Sequence, residues 1–241
     1  MRRALFLAGL VCLAVSTAQA QDPAKVDPKH CKVEFENAQV RVLRWNTGPH
    51  EKVPMHGHPA YVTVFLTDNY GRTTLPDGKT REPHQKAGET AWTAAEKHSA
   101  ENLSDKPSEL IQVELKAKPA AAKPDKAQSA LDAVKVDPKH HKVEFENAQV
   151  RVLRITVGPH EKTAVHEHPA WVAVFLTELH MKITFPDGKT EDRQGKAGAA
   201  QWHAGEKHTA ENTSDKPFEG IMVELKAKPA AAKPAAEKKK G

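Results

Sequence analysis

Apolar positions in this chain fall into short runs rich in β-branched residues. Gln39-Val40-Arg41-Val42-Leu43-Arg44 partly alternates between polar and apolar, while Tyr61-Val62-Thr63-Val64-Phe65-Leu66 is almost continuously apolar. Glu109-Leu110-Ile111-Gln112-Val113-Glu114-Leu115 is again mixed. Short runs of such side chains suit strands. Thr74-Leu75 leads into Pro76-Asp77-Gly78, a hairpin-turn signature with a twin at Pro186-Asp187-Gly188. No long stretch holds a helical period, so the pattern predicts an all-β sandwich or barrel.

The one long apolar run, residues 4–15, is interrupted only by Gly9. It is too short for a membrane span of about 20 residues. Arg2 and Arg3 precede it, and Ala18-Gln19-Ala20 follows as a small-x-small cleavage site. Together they predict a signal peptide over residues 1–20 and an exported chain, periplasmic or secreted. Cleavage would remove Cys12 and leave Cys31 as the only thiol, so the fold must stand without an internal disulfide.

The strand pattern occurs twice. Val26-Asp27-Pro28-Lys29-His30 returns as Val136-Asp137-Pro138-Lys139-His140, and at that offset 68 of 100 positions from Lys25 to Pro124 are identical without a gap. A period of 110 residues is a whole domain and not a solenoid unit. The expected units are a first barrel over 21–115, an Ala/Lys/Pro-rich linker over 116–135, a second barrel over 136–225 and a Lys-rich tail over 226–241. Residues 128–134 within the linker are compatible with a turn or two of helix. Linker and tail cannot bury a core, which predicts a semi-extended spacer and a disordered end.

That division relocates the charge. The net +5 of the 241-residue chain arises in the leader, linker and tail, whereas the two barrel segments together sum to −5. A basic stripe on a folded surface is therefore missing, and nucleic acid is excluded as a partner. The tail remains suited to anionic envelope polymers. Glycine-rich phosphate loops, a G-x-S-x-G elbow, C-x-x-C pairs and an HExxH helix are also absent from the sequence.

Histidine is abundant, with 14 residues, all inside the two repeat units. His56-Gly57-His58 and His166-Glu167-His168 precede the apolar strands, and an i, i+2 spacing on a strand aims both rings at one face. His98 and His208 follow about 40 residues later, each inside Glu-Lys-His-x-Ala-Glu-Asn. A third imidazole folded back beside each pair would complete a three-nitrogen face for a divalent metal. His203 is a candidate extra ligand in the second copy, where the first has Thr93. His50 and His160 are candidates for direct or supporting roles. Tyr61, Trp92, Trp171 and Trp202 are candidate pocket walls, and Glu101 and Glu211 candidate general bases. His30, His84, His140, His141 and His180 lack partners at ligand spacing and are expected at the surface. Cys31, matched by His141, is expected to be exposed and replaceable.

These motifs resemble the cupin superfamily: Gly48 then His56-x-His58, with His98-x3-Asn102, and in the second copy Gly158 then His166-x-His168, with His208-x3-Asn212 and Gly205. The resemblance covers each copy almost end to end and implies two tandem jelly-roll β-barrels, a bicupin of the small conserved-barrel (cupin 2) type. It further implies a metal held by His56, His58 and His98 and by His166, His168 and His208. Zinc, manganese, iron and nickel all suit such sites. Family members often add a glutamate about five residues after the second histidine. Thr63 and Ala173 stand there, so the anionic ligand is missing and a demanding redox centre is disfavoured.

Three functions follow as alternatives. One is a binding or weakly catalytic protein with a metal or small-ligand site in each barrel. Another is a metal-dependent dioxygenase, isomerase or lyase. The last is a metal-free envelope interaction protein whose barrels are scaffolding and whose tail makes the contact. A monomer is favoured over a homodimer, because two fused barrels satisfy each other's edges.

Overall fold

The computed structural model describes residues 21–116 and 129–226. The leader, most of the linker and nearly all of the tail, with the expectations placed on them, lie outside the described residues. The first copy begins with helix α1 (Pro23–Val26) and strands β1 (Cys31–Glu36), β2 (Val40–Thr47), β3 (Lys52–His58), β4 (Tyr61–Phe65) and β5 (Asn69–Thr74). It continues with β6 (Thr80–Arg81), β7 (His84–Gln85), β8 (Thr90–Thr93), β9 (Glu96–Asn102) and β10 (Ser108–Leu115). The second comprises α2 (Ala133–Val136), β11 (His141–Glu146), β12 (Val150–Val157), β13 (His166–His168) and β14 (Trp171–Phe175). Its remaining strands are β15 (Leu179–Thr184), β16 (Thr190–Gly195), β17 (Ala200–His203), β18 (Glu206–Asn212) and β19 (Phe218–Leu225).

Each copy folds as two antiparallel sheets. In the first the orders are β1-β2-β10-β4-β8 and β3-β9-β5-β6, and in the second β11-β12-β19-β14-β17 and β13-β18-β15-β16. The fold is thus all-β, two tandem jelly-roll barrels. Asp-Gly turns close the hairpins as the sequence implies: Gly78 and Gly188 adopt φ of 84° and 83°, a region glycine enters without steric cost. No described helix is long and apolar enough to cross a membrane. Helix α2 begins inside the tract expected to be linker, and it packs on β11 and β13 with Asp132 ion-paired to Arg151 at 2.7 Å.

The apolar runs face outward from their own barrels. Val42, Val62, Val64, Ile111 and Val113 join Val152, Val172, Val174, Ile221 and Val223 in one buried cluster that spans both copies. Arg44 donates to the Gly198 carbonyl at 2.6 Å, and Arg154 returns the contact to Gly88 at 2.7 Å, so the barrels meet about a pseudo-two-fold axis. Residues that alternate with those valines point inward: Thr63, Gln112 and Glu114 are buried although polar. A sheet covered on both faces explains why the strands read as nearly continuous apolar runs.

Candidate metal centres

β3 and β9 are antiparallel neighbours, and their register sets His56 opposite His98. His58, two residues on, shares that face. The three rings converge, with centroid separations of 4.7 Å for His56–His58, 4.6 Å for His56–His98 and 5.3 Å for His58–His98. One nitrogen from each lies within 4.8 Å of the others, and all three residues are buried.

Each ring has its Nδ1 committed. His56 Nδ1 is 2.7 Å from the Pro54 carbonyl, His58 Nδ1 is 2.6 Å from Glu114, and His98 Nδ1 is 2.9 Å from Glu96. A carbonyl or carboxylate there fixes the Nδ1–H tautomer and leaves Nε2 as a lone pair. His56 Nε2 and His58 Nε2 are buried without any hydrogen-bond partner. Burial holds all three rings down to a pKa of about 4, so they are neutral at pH 7. Neutral imidazoles with converging, unpaired nitrogens are the donor set a divalent cation requires.

The second barrel repeats this arrangement with an addition. His166 pairs in register with His208, and His166 and His168 approach to 4.8 Å. His166 Nδ1 is 2.7 Å from the Ala164 carbonyl and His168 Nδ1 is 2.6 Å from Glu224, and His168 Nε2 is buried without a partner. The mutually close donors here are His141, His166 and His168, and His208 stands against His166 at 4.6 Å. His141 was expected at the surface. It is 2% exposed: it opens β11, and its ring lies 4.6 Å from that of His166 and 5.5 Å from that of His168.

Other expectations also require correction. Cys31 is 2% exposed and its thiol is pushed up to about 12 by burial, so it is neither exposed nor reactive. His30 and His140 are buried between carboxylates, His30 with Asp27 and Glu51 and His140 with Asp137 and Glu161, where they tie the short helices to the barrels. His50 and His160 are exposed and pair with Asp105 and Asp215, away from the ring clusters. His203 stacks on Trp171 at 4.6 Å and is not among the mutually close donors. Trp92 and Trp202 pack on the core between the barrels, whereas Tyr61 and Trp171 line cavities. Glu101 also lines the first cavity, 3.3 Å from Arg72.

Glu114 and Glu224 were not singled out from the sequence. They sit at the ends of the closing strands, inside what reads as an apolar run. Burial raises both, Glu114 to about 7, against the opposing pull of Arg41 and Arg151. Arg151 Nε donates to Glu224 at 2.6 Å, whereas Arg41 lies 3.8 Å from Glu114.

The spaces beside the two clusters differ sharply. A cavity of about 480 Å³ adjoins His56 and His98, with polar walls that include Thr63, Asn69, Arg72 and Gln112. Its counterpart holds about 80 Å³ and is lined by Leu179, Met181, Ile183, Phe218 and Met222. Of the 25 residues around the first cavity, 18 differ between the copies, against 32 of the 100 aligned positions as a whole. Divergence is thus concentrated inside the barrels. Gly195, which stands where the first copy has Gln85, lets the Phe175 ring fill the interior, since a Cβ there would lie 2.2 Å from the ring.

The architecture is the fold of two-barrel cupins. AerE from Microcystis aeruginosa superposes with a TM-score of 0.58 at 10% identity, over 82% of this chain and 98% of that one. Bacillus subtilis oxalate decarboxylase, a protein with Mn(II) centres, superposes with a TM-score of 0.56 at 11% identity, over 83% of this chain and 76% of that one. A Bordetella pertussis cupin domain is 25% identical over 36% of this chain and 92% of its own length, with a TM-score of 0.34. No family model matches the sequence, and neither does any curated protein. The likeness establishes the bicupin fold.

Proposed function

We propose that this chain is an exported bicupin that holds a divalent metal ion in each barrel and receives a small polar organic molecule in the first. It would act as a binding protein or a slow metal-assisted catalyst. The observation that carries this reading is the set of Nδ1 hydrogen bonds to Pro54, Glu114 and Glu96, which leaves three Nε2 lone pairs converging in a buried space. Unpaired polar atoms in such a place cost stability, a cost that a ligand would repay.

His56, His58 and His98 would hold the ion in the first barrel, and His166 and His168 with His208 or His141 in the second. A bound divalent ion supplies a Lewis acid that polarises an oxygen of a ligand. The chain's own residues set what reaches it. Thr63, inward on β4, puts a hydroxyl where a carboxylate is common in cupins, so three neutral donors leave the ion's charge unoffset and favour an anionic or strongly dipolar ligand. Arg72 and Glu101 on the cavity wall offer charge of both signs for orienting that ligand.

Elemental analysis of the purified mature protein tests the metal, alongside His56→Ala and His166→Ala. About one equivalent per barrel is expected, with one lost in each variant. Substoichiometric metal, unchanged in both variants, would sink the reading. Export is tested by the intact mass of the envelope fraction, which should begin at Gln21.

A further inference from the structure

The two copies differ at the position that opens their first strand, Cys31 in one and His141 in the other. From this difference we infer that His141 is a metal ligand of the second barrel, joining the mutually close His166 and His168, with His208 beside His166 at 4.6 Å as the fourth donor, in an all-histidine set that closes the site to outside molecules. The inference rests on the proposed metal reading and extends it to a residue outside the recurring His-x-His and His-x3-Asn motifs.

Position alone places His141 in the cluster. Its ring centroid is 4.6 Å from His166 and 5.5 Å from His168, and a ligand nitrogen lies within 4.8 Å of theirs. Its Nδ1 is 3.1 Å from the Asp137 carbonyl, the same main-chain anchoring that fixes His56 and His166. That contact leaves Nε2 as the free lone pair.

The neighbouring residues have changed in concert. His141 pairs across the sheet with Ile155, and Cys31 pairs with Trp45. A small residue beside a large one has become a large residue beside a smaller one. In the first barrel the Trp45 ring packs at 5.0 Å from His56 and donates to Gln112 at 2.7 Å. Ile155 and Met222 replace that pair in the second, and the space released is taken by the His141 imidazole.

Closure agrees with the interior beyond. Asn69, Gly71 and Thr73 line the first cavity, and their counterparts Leu179, Met181 and Ile183 are buried core residues. With about 80 Å³ left beside the rings, little room remains for an organic ligand. A four-nitrogen shell without an open position is the mark of a structural metal site, whereas three donors facing a cavity mark a reactive or ligand-binding one. The second barrel would accordingly be held by its ion, and the first would use its own.

The test is cobalt(II) loading of the mature full-length chain carrying His98→Ala to silence the first barrel, with and without His141→Leu. With His141 present, one equivalent should bind and give the intense visible bands of a four-coordinate ion. His141→Leu should lower affinity by roughly 100-fold, and the bands should weaken as solvent takes the vacated place. If the leucine variant fails to fold, His141→Ala substitutes, because the first copy folds with the similarly small Cys31 at this position and alanine, unlike cysteine, offers no ligand atom. Converting the first barrel with Cys31→His and Trp45→Ile should strengthen its cobalt affinity. Equal affinity and spectra with and without His141 overturn the proposal alone. No metal in any chain, the unsubstituted one included, overturns the underlying metal reading and the proposal with it.

Discussion

His58 Nδ1 and a Glu114 carboxylate oxygen lie 2.6 Å apart, and His168 and Glu224 repeat the contact at 2.6 Å. Both members of each pair are almost fully buried. The carboxylate orients the imidazole and raises its basicity toward a cation at Nε2. Glu114→Gln keeps an acceptor but removes the charge, and should weaken metal binding by about 10-fold in the first barrel. Glu114→Leu, which removes the acceptor, should weaken it by about 100-fold. Competition against a chromophoric chelator reads both. Equal affinities across the three proteins would deny the carboxylate this role.

The cavity difference yields a second prediction. Replacing Asn69, Gly71 and Thr73 by the residues of the second copy (N69L, G71M, T73I) should fill the first barrel. A Cβ at Gly71 would meet the Glu101 carbonyl only at 3.4 Å, and Gly71 has no positive φ, so the backbone permits the change. Burying the added apolar surface should outweigh the lost Asn69 contacts to Ser108 and Gln85 and raise stability by about 1–3 kcal/mol. Urea denaturation measures the gain, and metal content should not change, since none of the three touches the rings' nitrogens. A loss of stability would mean that the second interior cannot be transplanted.

How far the sequence could be read depended on what local pattern encodes. The duplication, the strands and the convergence of His56 with His58 and His98 follow from spacing and repetition. His141 escaped because its placement depends on the start of β11 meeting β13, a non-local event that no periodicity reports. Its exchange with Cys31 looks, alone, like tolerance to change, whereas the matched exchange of Trp45 and Ile155 is the informative signal. Glu114 escaped for a different reason. In strands buried on both faces the apolar residues mark the inter-barrel contact, so the polar residues between them, Thr63, Gln112 and Glu114, are the ones that line the interior.

Acid should destabilise the metal-free protein in a defined window. In the folded state His56, His58 and His98 protonate only near pH 4, whereas unfolded histidine does so near 6.5. Between those values the unfolded chain binds more protons, so stability falls as pH drops from 6.5 and levels off below about 4. Each ring contributes up to about 3 kcal/mol at the acid end. Glu114 acts in the opposite sense: its raised pKa of about 7 adds stability that is full below 4.5 and lost as pH rises through 7. Three rings outweigh one carboxyl in this barrel. Thermal melts of the chelated protein from pH 7 to 4 should show a falling midpoint, and a flat profile would contradict the buried neutral rings.

Val113 sits at the centre of the sheet that each barrel presents to the other, fully buried and flanked by Val62 and Val42 in neighbouring strands. Because these side chains leave their own barrel, the copies depend on each other for apolar cover, and a charge at this point has no partner to neutralise it. Val113→Asp should cost more than about 4 kcal/mol. Val33→Asp, on an exposed position of β1, should cost less than about 0.5 kcal/mol and serves as the control. Chemical denaturation reads both values, and size-exclusion chromatography of Val113→Asp should show self-association as the two uncovered faces find new partners. If Val113→Asp unfolds at the same denaturant concentration as the parent and elutes unchanged, the barrels are independent units and the shared core contributes nothing to stability.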